Sequence, residues 1–153
     1  MTIGNFRPAT VLIDETAILH NIQHEVARLK KQTQLFAVVK ADAYGHGMLR
    51  VARVAKAAGA TGFCVAILDE ALGLRKADYS EPVLVLGIVP SQYAAIAAAQ
   101  TISLPVSSTE WLEQALPVLE AQPELPPLRI HLALDTGMGR ICLLYTSPSP
   151  RDA

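Results

Sequence analysis

The sequence predicts an α/β protein whose strand–helix units form part of a (β/α)8, or TIM, barrel. Short β-branched runs alternate with longer helical stretches, and the runs are almost continuously apolar, as in buried parallel strands. No glycine-rich dinucleotide-binding pattern follows the first strand, which favours a barrel over an open doubly wound sheet. A closed barrel takes about 250 residues, whereas this chain has 153. We therefore expect about five of the eight barrel strands.

The predicted strands are short apolar runs bounded by turn residues. They cover residues 35–39, 63–67, 82–87, 102–106 and 128–134. The helices between them are expected over residues 48–58, 69–76 and 92–99, followed by one that includes Trp111 and Leu119. Ser91 and the polar residues 107–110 have the character of N-terminal caps. Pro105 weakens the prediction of the fourth strand, because proline cannot donate to a sheet.

The two ends of the chain lie outside this repeating pattern. Residues 9–13 predict an additional strand, and Asp14 is expected to cap a helix over residues 15–31. We assign residues 1–141 to the N-terminal part of the barrel domain. Residues 142–153 are rich in Ser and Pro, resemble translated adapter or vector sequence, and are expected to be unstructured or artefactual.

Composition excludes several classes of function. The 13 basic and 14 acidic residues give a net charge of -1 without a basic stripe, so no nucleic-acid partner is expected. The apolar runs are much shorter than the roughly 20 residues of a membrane span, and no signal peptide is visible. Cys64 and Cys142 form neither a metal-ligand spacing nor a disulfide framework. We therefore expect a cytoplasmic protein with no metal site and no membrane association.

Lys40 is the first candidate for chemistry, because it follows an apolar strand and precedes a glycine-containing turn. Functional sites of parallel α/β proteins lie at the carboxyl ends of the strands. A lysine amine in that position can attack the aldehyde of a cofactor. The alternative interpretation, from position alone, is an amine that reaches from the strand end into solvent.

Two longer motifs decide between these interpretations. Residues 38–47 read Val-Val-Lys-Ala-Asp-Ala-Tyr-Gly-His-Gly, which closely resembles the cofactor-lysine motif of alanine racemases. Residues 131–141 read His-Leu-Ala-Leu-Asp-Thr-Gly-Met-Gly-Arg-Ile, which is similar to the segment after the fifth barrel strand of that family. Weaker agreement occurs at residues 7–10, 21–22 and 69–71. The resemblance covers residues 5–141 and is much more specific than a single glycine pattern.

The resemblance implies a racemase that uses pyridoxal 5'-phosphate to interconvert L-alanine and D-alanine for cell-wall synthesis. Lys40 would hold the cofactor as a Schiff base and act as the base for one substrate enantiomer. Tyr44 would bind the cofactor phosphate. Arg140 would contact the cofactor phenolate oxygen and the substrate carboxylate. His46 is expected to have a structural role, and His131 to be an interior histidine.

The chain also departs from the family pattern. Many alanine racemases carry a carbamylated lysine seven positions before this arginine, where the present chain has Ala133. Arg140 would then lack an anionic partner. In the family the second base is a tyrosine from the later domain, supplied across a homodimer interface, and no matching segment is present. We therefore expect the complete enzyme to be a homodimer, and this chain alone to be inactive as a racemase.

Three alternatives stay open at this point. One is a non-catalytic barrel that binds pyridoxal phosphate, although the glycine–arginine segment at residues 135–140 argues against it. Another is a different racemase or decarboxylase of the same fold group. The third is a folding-incompetent relic, since an unclosed barrel leaves unpaired strand edges that favour aggregation.

Overall fold

The computed structural model describes residues 8–141. Within them, helices and short parallel strands alternate along the chain. The elements are α1 (Glu15–Arg28), β1 (Phe36–Val38), α2 (Lys40–Tyr44), α3 (Met48–Ala57), β2 (Gly62–Val65), α4 (Leu68–Lys76), β3 (Val83–Val85), a 3-10 turn (Ser91–Tyr93), α5 (Ala94–Ala99), β4 (Ile102–Val106), α6 (Thr109–Glu120) and β5 (Ile130–Leu132). Among these residues, no helix is both long enough and apolar enough to cross a membrane.

The five strands form one parallel sheet in which spatial order follows chain order, β1-β2-β3-β4-β5. Ala37 lies opposite Phe63, and Cys64 lies opposite Leu84, so neighbouring strands keep a regular register. A doubly wound sheet would reverse its order at a switch point, where such proteins bind ligands. This sheet has no reversal and has the sequential order of a barrel wall. The predicted α/β class with five strands is confirmed.

The core lies between the sheet and the helices that cover it. Its largest members are mostly branched aliphatic side chains from the strands, and all four residues of β2 are buried, as expected for a parallel sheet. The largest fully buried side chains are Phe63, Leu74, Ile102, Leu104, Val39, Val65, Val83, Val85 and Val106. Burying one such side chain contributes about 1.5 to 3 kcal/mol. Val39 belongs to this core, so the end of β1 next to Lys40 is anchored in packed structure.

Local capping signals correctly predicted where α1 and α6 begin. The N-cap predicted at Ser91 is wrong, because Ser91 lies in the 3-10 turn and its hydroxyl donates to Gln114 Oε1 at 3.0 Å. The Asp14 carboxylate accepts hydrogen bonds from the amides of Thr16 and Ala17, at 2.9 and 3.0 Å, and α1 starts at the next residue after it. Ser108 accepts from the Trp111 amide at 3.2 Å and caps α6. Such caps satisfy amides that have no partner within the helix. α1 ends at Arg28, three residues before the predicted boundary at residue 31.

The fourth strand forms despite its proline, and the structure shows how Pro105 is accommodated. Leu104 donates its N–H to the Arg129 carbonyl at 3.0 Å, on the side of β5. The backbone nitrogen of the next residue, Pro105, therefore points towards β3 and not towards β5. Its missing N–H removes a hydrogen bond on the β3 side alone. Accordingly, pairing between β3 and β4 ends at Ser103, whereas pairing with β5 continues through Val106.

Arg75 joins the end of α4 to the loops that lead into β3 and β4. Its Nε donates to the Gln100 carbonyl at 2.8 Å, and its Nη2 to the Thr101 carbonyl at 3.2 Å. Its Nη1 donates to the carbonyls of Tyr79 and Glu81, at 2.7 and 3.0 Å. A planar guanidinium can bond several fixed acceptors at once. This side chain therefore sets the starting points of two strands.

The strand predicted over residues 9–13 is wrong. These residues adopt no strand, and Val11 and Leu12 are 81% and 88% exposed. A β-strand requires a neighbour to accept and donate its backbone hydrogen bonds, and the described residues provide none here. The predicted tail, residues 142–153, lies outside the described residues.

Candidate functional site

Lys40 and Tyr44 occupy the first and last positions of α2, directly beyond the carboxyl end of β1. Val39, which precedes them, is fully buried and donates its N–H to the Cys64 carbonyl at 2.9 Å. The Lys40 Nζ atom lies 5.8 Å from the centroid of the Tyr44 ring, within the range of a cation–π contact. The structure thus brings together two of the three predicted site residues.

The turn that carries them is left-handed. Ala41, Asp42, Ala43 and Tyr44 have φ angles of 52°, 54°, 52° and 54°. Residues with a side chain rarely adopt this region, and each costs about 1 to 2 kcal/mol there because Cβ approaches the following carbonyl. Four in succession persist only where the surrounding structure enforces them, and such backbone strain concentrates at functional sites. The conformation directs residues 40–44 away from an ordinary helical path.

Two carboxylates hold this turn. Glu70 Oε1 accepts a 2.6 Å hydrogen bond from the Ala41 amide, and Asp42 Oδ1 accepts a 2.7 Å bond from the Met48 amide at the start of α3. Hydrogen bonds to an ionised acceptor are stronger than neutral ones. The turn is therefore attached on one side to α4 and on the other to α3.

His46 and two glycines complete the connection to α3. The His46 Nδ1 atom lies 3.0 Å from the Ala43 carbonyl, so an Nδ1–H tautomer would donate to it. Gly45 and Gly47 have φ angles of 87° and 94°, which glycine adopts without strain. The structural role expected for His46 agrees with this contact to the backbone.

Arg140 follows the opposite edge strand. Asp135 Oδ1 accepts hydrogen bonds from the amides of Gly137 and Gly139, both at 2.9 Å, and this closes the segment into a tight loop. The two glycines have φ angles of 123° and 67°. Arg140 is exposed at the end of this loop. Three strands separate β1 from β5, so in this open sheet Arg140 lies on the other edge from Lys40.

Of two residues near the loop that carries Arg140, Ala133 agrees with the expectation from the sequence and His131 does not. Ala133 donates its N–H to the Val106 carbonyl at 3.0 Å, but its methyl side chain provides no anion for Arg140. His131 was expected to be an interior residue, and it is exposed. It lies in β5, whose outer edge has no neighbouring strand among the described residues. All three residues of this edge strand are exposed, so the exposure of His131 goes with its position in the sheet.

Sequence reasoning missed the hydrogen-bonding roles of Asp42 and Glu70. Asp42 lies inside the lysine motif, but nothing in the motif shows that it caps α3. Glu70 was noted only as part of a weak resemblance over residues 69–71. An acidic residue in the first turn of a helix usually signals a local cap, and its bond to Ala41 spans 29 residues. Residues 8–141 hold no group of three or more His, Cys, Asp or Glu side chains suited to a metal.

Comparison with known proteins identifies the family. Residues 13–145 match the family model described as "Alanine racemase, N-terminal domain". The chain belongs to the alanine racemase family. It is 53% identical over 142 residues to the alanine racemase of Latilactobacillus sakei subsp. sakei (strain 23K), and this match covers 92% of the chain and 37% of the relative. The corresponding protein of Lactiplantibacillus plantarum is 54% identical over 141 residues, covering 92% and 38%.

Solved structures of the family show the same fold. The alanine racemase of E. faecalis matches with a TM-score of 0.86 and 49% identity, covering 94% of this chain and 38% of that one. A histidine racemase from Leuconostoc mesenteroides subsp. sake matches with a TM-score of 0.76 and 38% identity, covering 85% and 34%. The sheet therefore corresponds to the N-terminal part of the racemase barrel. The chain spans about 37% of the length of its curated relatives.

Proposed function

We propose that this chain provides the cofactor-lysine portion of a pyridoxal-phosphate-dependent alanine racemase. The observation that carries the proposal is the position of Lys40, at the carboxyl end of β1 on a strained turn that also presents Tyr44. Membership of the alanine racemase family supports the choice of reaction. In this proposal the substrate and product are the two enantiomers of alanine.

The chemistry of the available donors fits pyridoxal phosphate. Lys40 is half-buried and offers a primary amine for the cofactor aldehyde. Tyr44, whose side chain is 64% exposed, offers a phenol that can donate to a phosphate oxygen. Arg140 offers a guanidinium for the ring oxygen and for a substrate carboxylate. When bound, the cofactor supplies an electron sink for the charge left on the substrate α-carbon.

Within this proposal the protein positions groups and moves a proton. The Lys40 amine takes the α-proton from one face of the substrate, acting as a general base. Tyr44 would hold the cofactor phosphate and Arg140 the substrate carboxylate, which would fix the substrate relative to Lys40. Removal of the α-proton from one face and delivery of a proton to the other face invert the α-carbon. Lys40 serves one of these two faces. A base from elsewhere in the complete enzyme is needed for the opposite face.

The wider biological setting belongs to the same proposal. D-Alanine would be supplied to cell-wall peptidoglycan synthesis, and the enzyme would act in the cytoplasm. The complete enzyme would be a homodimer.

A second candidate is racemisation of a different amino acid. The similarity to a histidine racemase, at 38% identity, shows that related chains are named for other substrates. The cofactor lysine is common to both candidates, so Lys40 does not separate them. A racemase assay with L-alanine and L-histidine, using the complete enzyme, would distinguish the two.

Trapping the cofactor on the chain tests the proposed attachment site. The 153-residue chain is incubated with pyridoxal phosphate, reduced with borohydride, digested and analysed by mass spectrometry. We expect the pyridoxyl group on Lys40 and its loss in Lys40→Arg. Lys76→Arg, an exposed change at the end of α4, is the matched control and should keep the label. Labelling spread evenly over surface lysines would contradict the proposal.

A further inference from the structure

Glu70 connects two neighbouring strand ends through one carboxylate. It lies in the first turn of α4 and is half-buried. Its Oε1 atom accepts from the Ala41 amide at 2.6 Å. Its Oε2 atom accepts from the amides of Ala66 and Ile67, at 2.7 and 3.3 Å, in the loop after β2. Both oxygens are thus used, one for each strand end.

The bond to Ala41 acts on the peptide that follows Lys40. That N–H belongs to the Lys40–Ala41 peptide, so holding it fixes the direction in which the Lys40 backbone leaves β1. Ala41 is also the first residue of the left-handed turn, with a φ of 52°. Such an unfavourable conformation persists only where surrounding contacts enforce it. Glu70 provides one of these contacts, at the first residue of the turn.

We infer that Glu70 is a positioning residue that sets the orientation of Lys40 by holding the left-handed turn against the β2–α4 loop. The inference rests on the proposed function in one respect, namely that Lys40 binds pyridoxal phosphate. Glu70 itself does not reach the reacting atoms in this role. It acts through the backbone of Ala41.

A local helix cap alone does not account for this arrangement. The bond to the Ile67 amide is half of a capping box, and like the adjacent bond to Ala66 it uses Oε2. The other half is missing, because Ile67 has no side-chain acceptor. Oε1 is directed instead to a residue 29 positions away. Asp69 shares the same helical turn and charge and is exposed, which makes it a matched control.

Amide hydrogen exchange at Ala41, measured by NMR on the 153-residue chain, tests the inference directly. Glu70→Asp keeps the charge at the start of α4 but withdraws the carboxylate by one methylene. Glu70→Ala removes it. Loss of a hydrogen bond to a charged group should make Ala41 exchange about 10 to 100 times faster in both variants. Asp69→Asn should leave that rate unchanged, and Trp111 fluorescence reports whether each variant is folded.

Labelling of Lys40 provides the second readout. With the same borohydride protocol, the pyridoxal phosphate concentration for half-maximal labelling should rise by about the same factor in the Glu70 variants. Absent labelling in the wild type would sink the proposed function, while Ala41 exchange would still test the positioning role. Unchanged exchange and labelling in folded Glu70→Asp would overturn the inference alone. An unprotected Ala41 amide in the wild type would overturn it without any variant.

Discussion

At the scale of single residues, the site depends on a backbone conformation that its own residues disfavour. Ala41 and Ala43 occupy the left-handed region although neither is glycine. Ala43 is buried, whereas the Ala41 side chain is exposed. Hydrogen bonds to the neighbouring helices hold the conformation: Glu70 of α4 accepts from the Ala41 amide, and Asp42 within the turn accepts from the Met48 amide of α3. Substitutions that relieve the strain should reveal how much energy it stores.

Replacing Ala41 with glycine provides that test. Glycine tolerates positive φ, so relief of about 1 to 2 kcal/mol competes with an entropic cost of about 0.5 to 1 kcal/mol. We expect Ala41→Gly to leave the free energy of unfolding unchanged or to raise it by up to about 1.5 kcal/mol. Urea denaturation followed through Trp111, the single tryptophan, measures it.

The control is the same substitution in an ordinary helix. Ala27 is an exposed residue of α1, where φ is helical. Ala27→Gly should lower the free energy of unfolding by up to about 1 kcal/mol, since Ala27 lies one residue before the end of α1. Equal destabilisation by both substitutions would show that the turn is not left-handed in solution.

At the scale of elements, side-chain contacts connect α3 to the segment that precedes β3. The Tyr79 hydroxyl donates to the Leu49 carbonyl at 3.1 Å, and the Tyr79 ring packs edge-on against Phe63 at 5.4 Å between centroids. Lys56 forms an ion pair with Glu81, whose side chain is 14% exposed. These contacts hold α3, and with it the end of the lysine turn, against the sheet.

The ion pair between Lys56 and Glu81 makes the free energy of unfolding depend on pH. The hydrogen bond from Lys56 lowers the pKa of Glu81 below its ordinary value of 4.5, against the opposing effect of burial. A carboxyl whose pKa is lower in the folded state stabilises that state above its unfolded pKa. The contribution is lost as pH falls through the folded pKa. Stability from this group should therefore be lost below about pH 4.5.

Glu81→Gln tests this dependence. The free energy of unfolding of the wild type should fall more steeply between about pH 5 and pH 3 than that of Glu81→Gln. Urea titrations at several pH values give the slopes. Glu120→Gln removes an exposed charge at the end of α6 and serves as the control. Parallel curves for wild type and Glu81→Gln would argue that the pair contributes nothing to folding.

At the scale of the whole molecule, the described sheet is open. β1 pairs only with β2, and β5 pairs only with β4, among residues 8–141. Apolar side chains are exposed on both edge strands: Val38 is 43% exposed, Ile130 42% and Leu132 57%. Unpaired edges with exposed apolar side chains form templates for pairing with another chain. The 153-residue chain should therefore associate with itself as its concentration rises.

A charge on the edge strand should suppress that association. Leu132→Lys places a lysine on β5, a device by which natural proteins protect sheet edges. Leu116→Lys on α6 is the matched control, because Leu116 is 53% exposed but belongs to a helix. We expect sedimentation velocity to show fewer large species for Leu132→Lys alone. An equal effect of both substitutions would point to general surface hydrophobicity rather than the edge.

The sequence alone determined the order of the five sheet strands and of α1 and α3 to α6, the caps at Asp14 and within residues 107–110, and the motif around Lys40. These features depend on neighbours a few residues apart, so local patterns suffice to predict them. Arg140 was also identified by its motif, but its place across the sheet from Lys40 was not. That position follows from the strand order, which only the assembled sheet defines.

Only the tertiary structure decided the left-handed turn, the role of Glu70 and the failure of the strand over residues 9–13. The turn contradicts the intrinsic preference of its residues and depends on a contact 29 residues away. The strand failed because pairing needs a partner that sequence periodicity does not report. Each depends on free energy contributed by distant groups, which the local sequence does not encode.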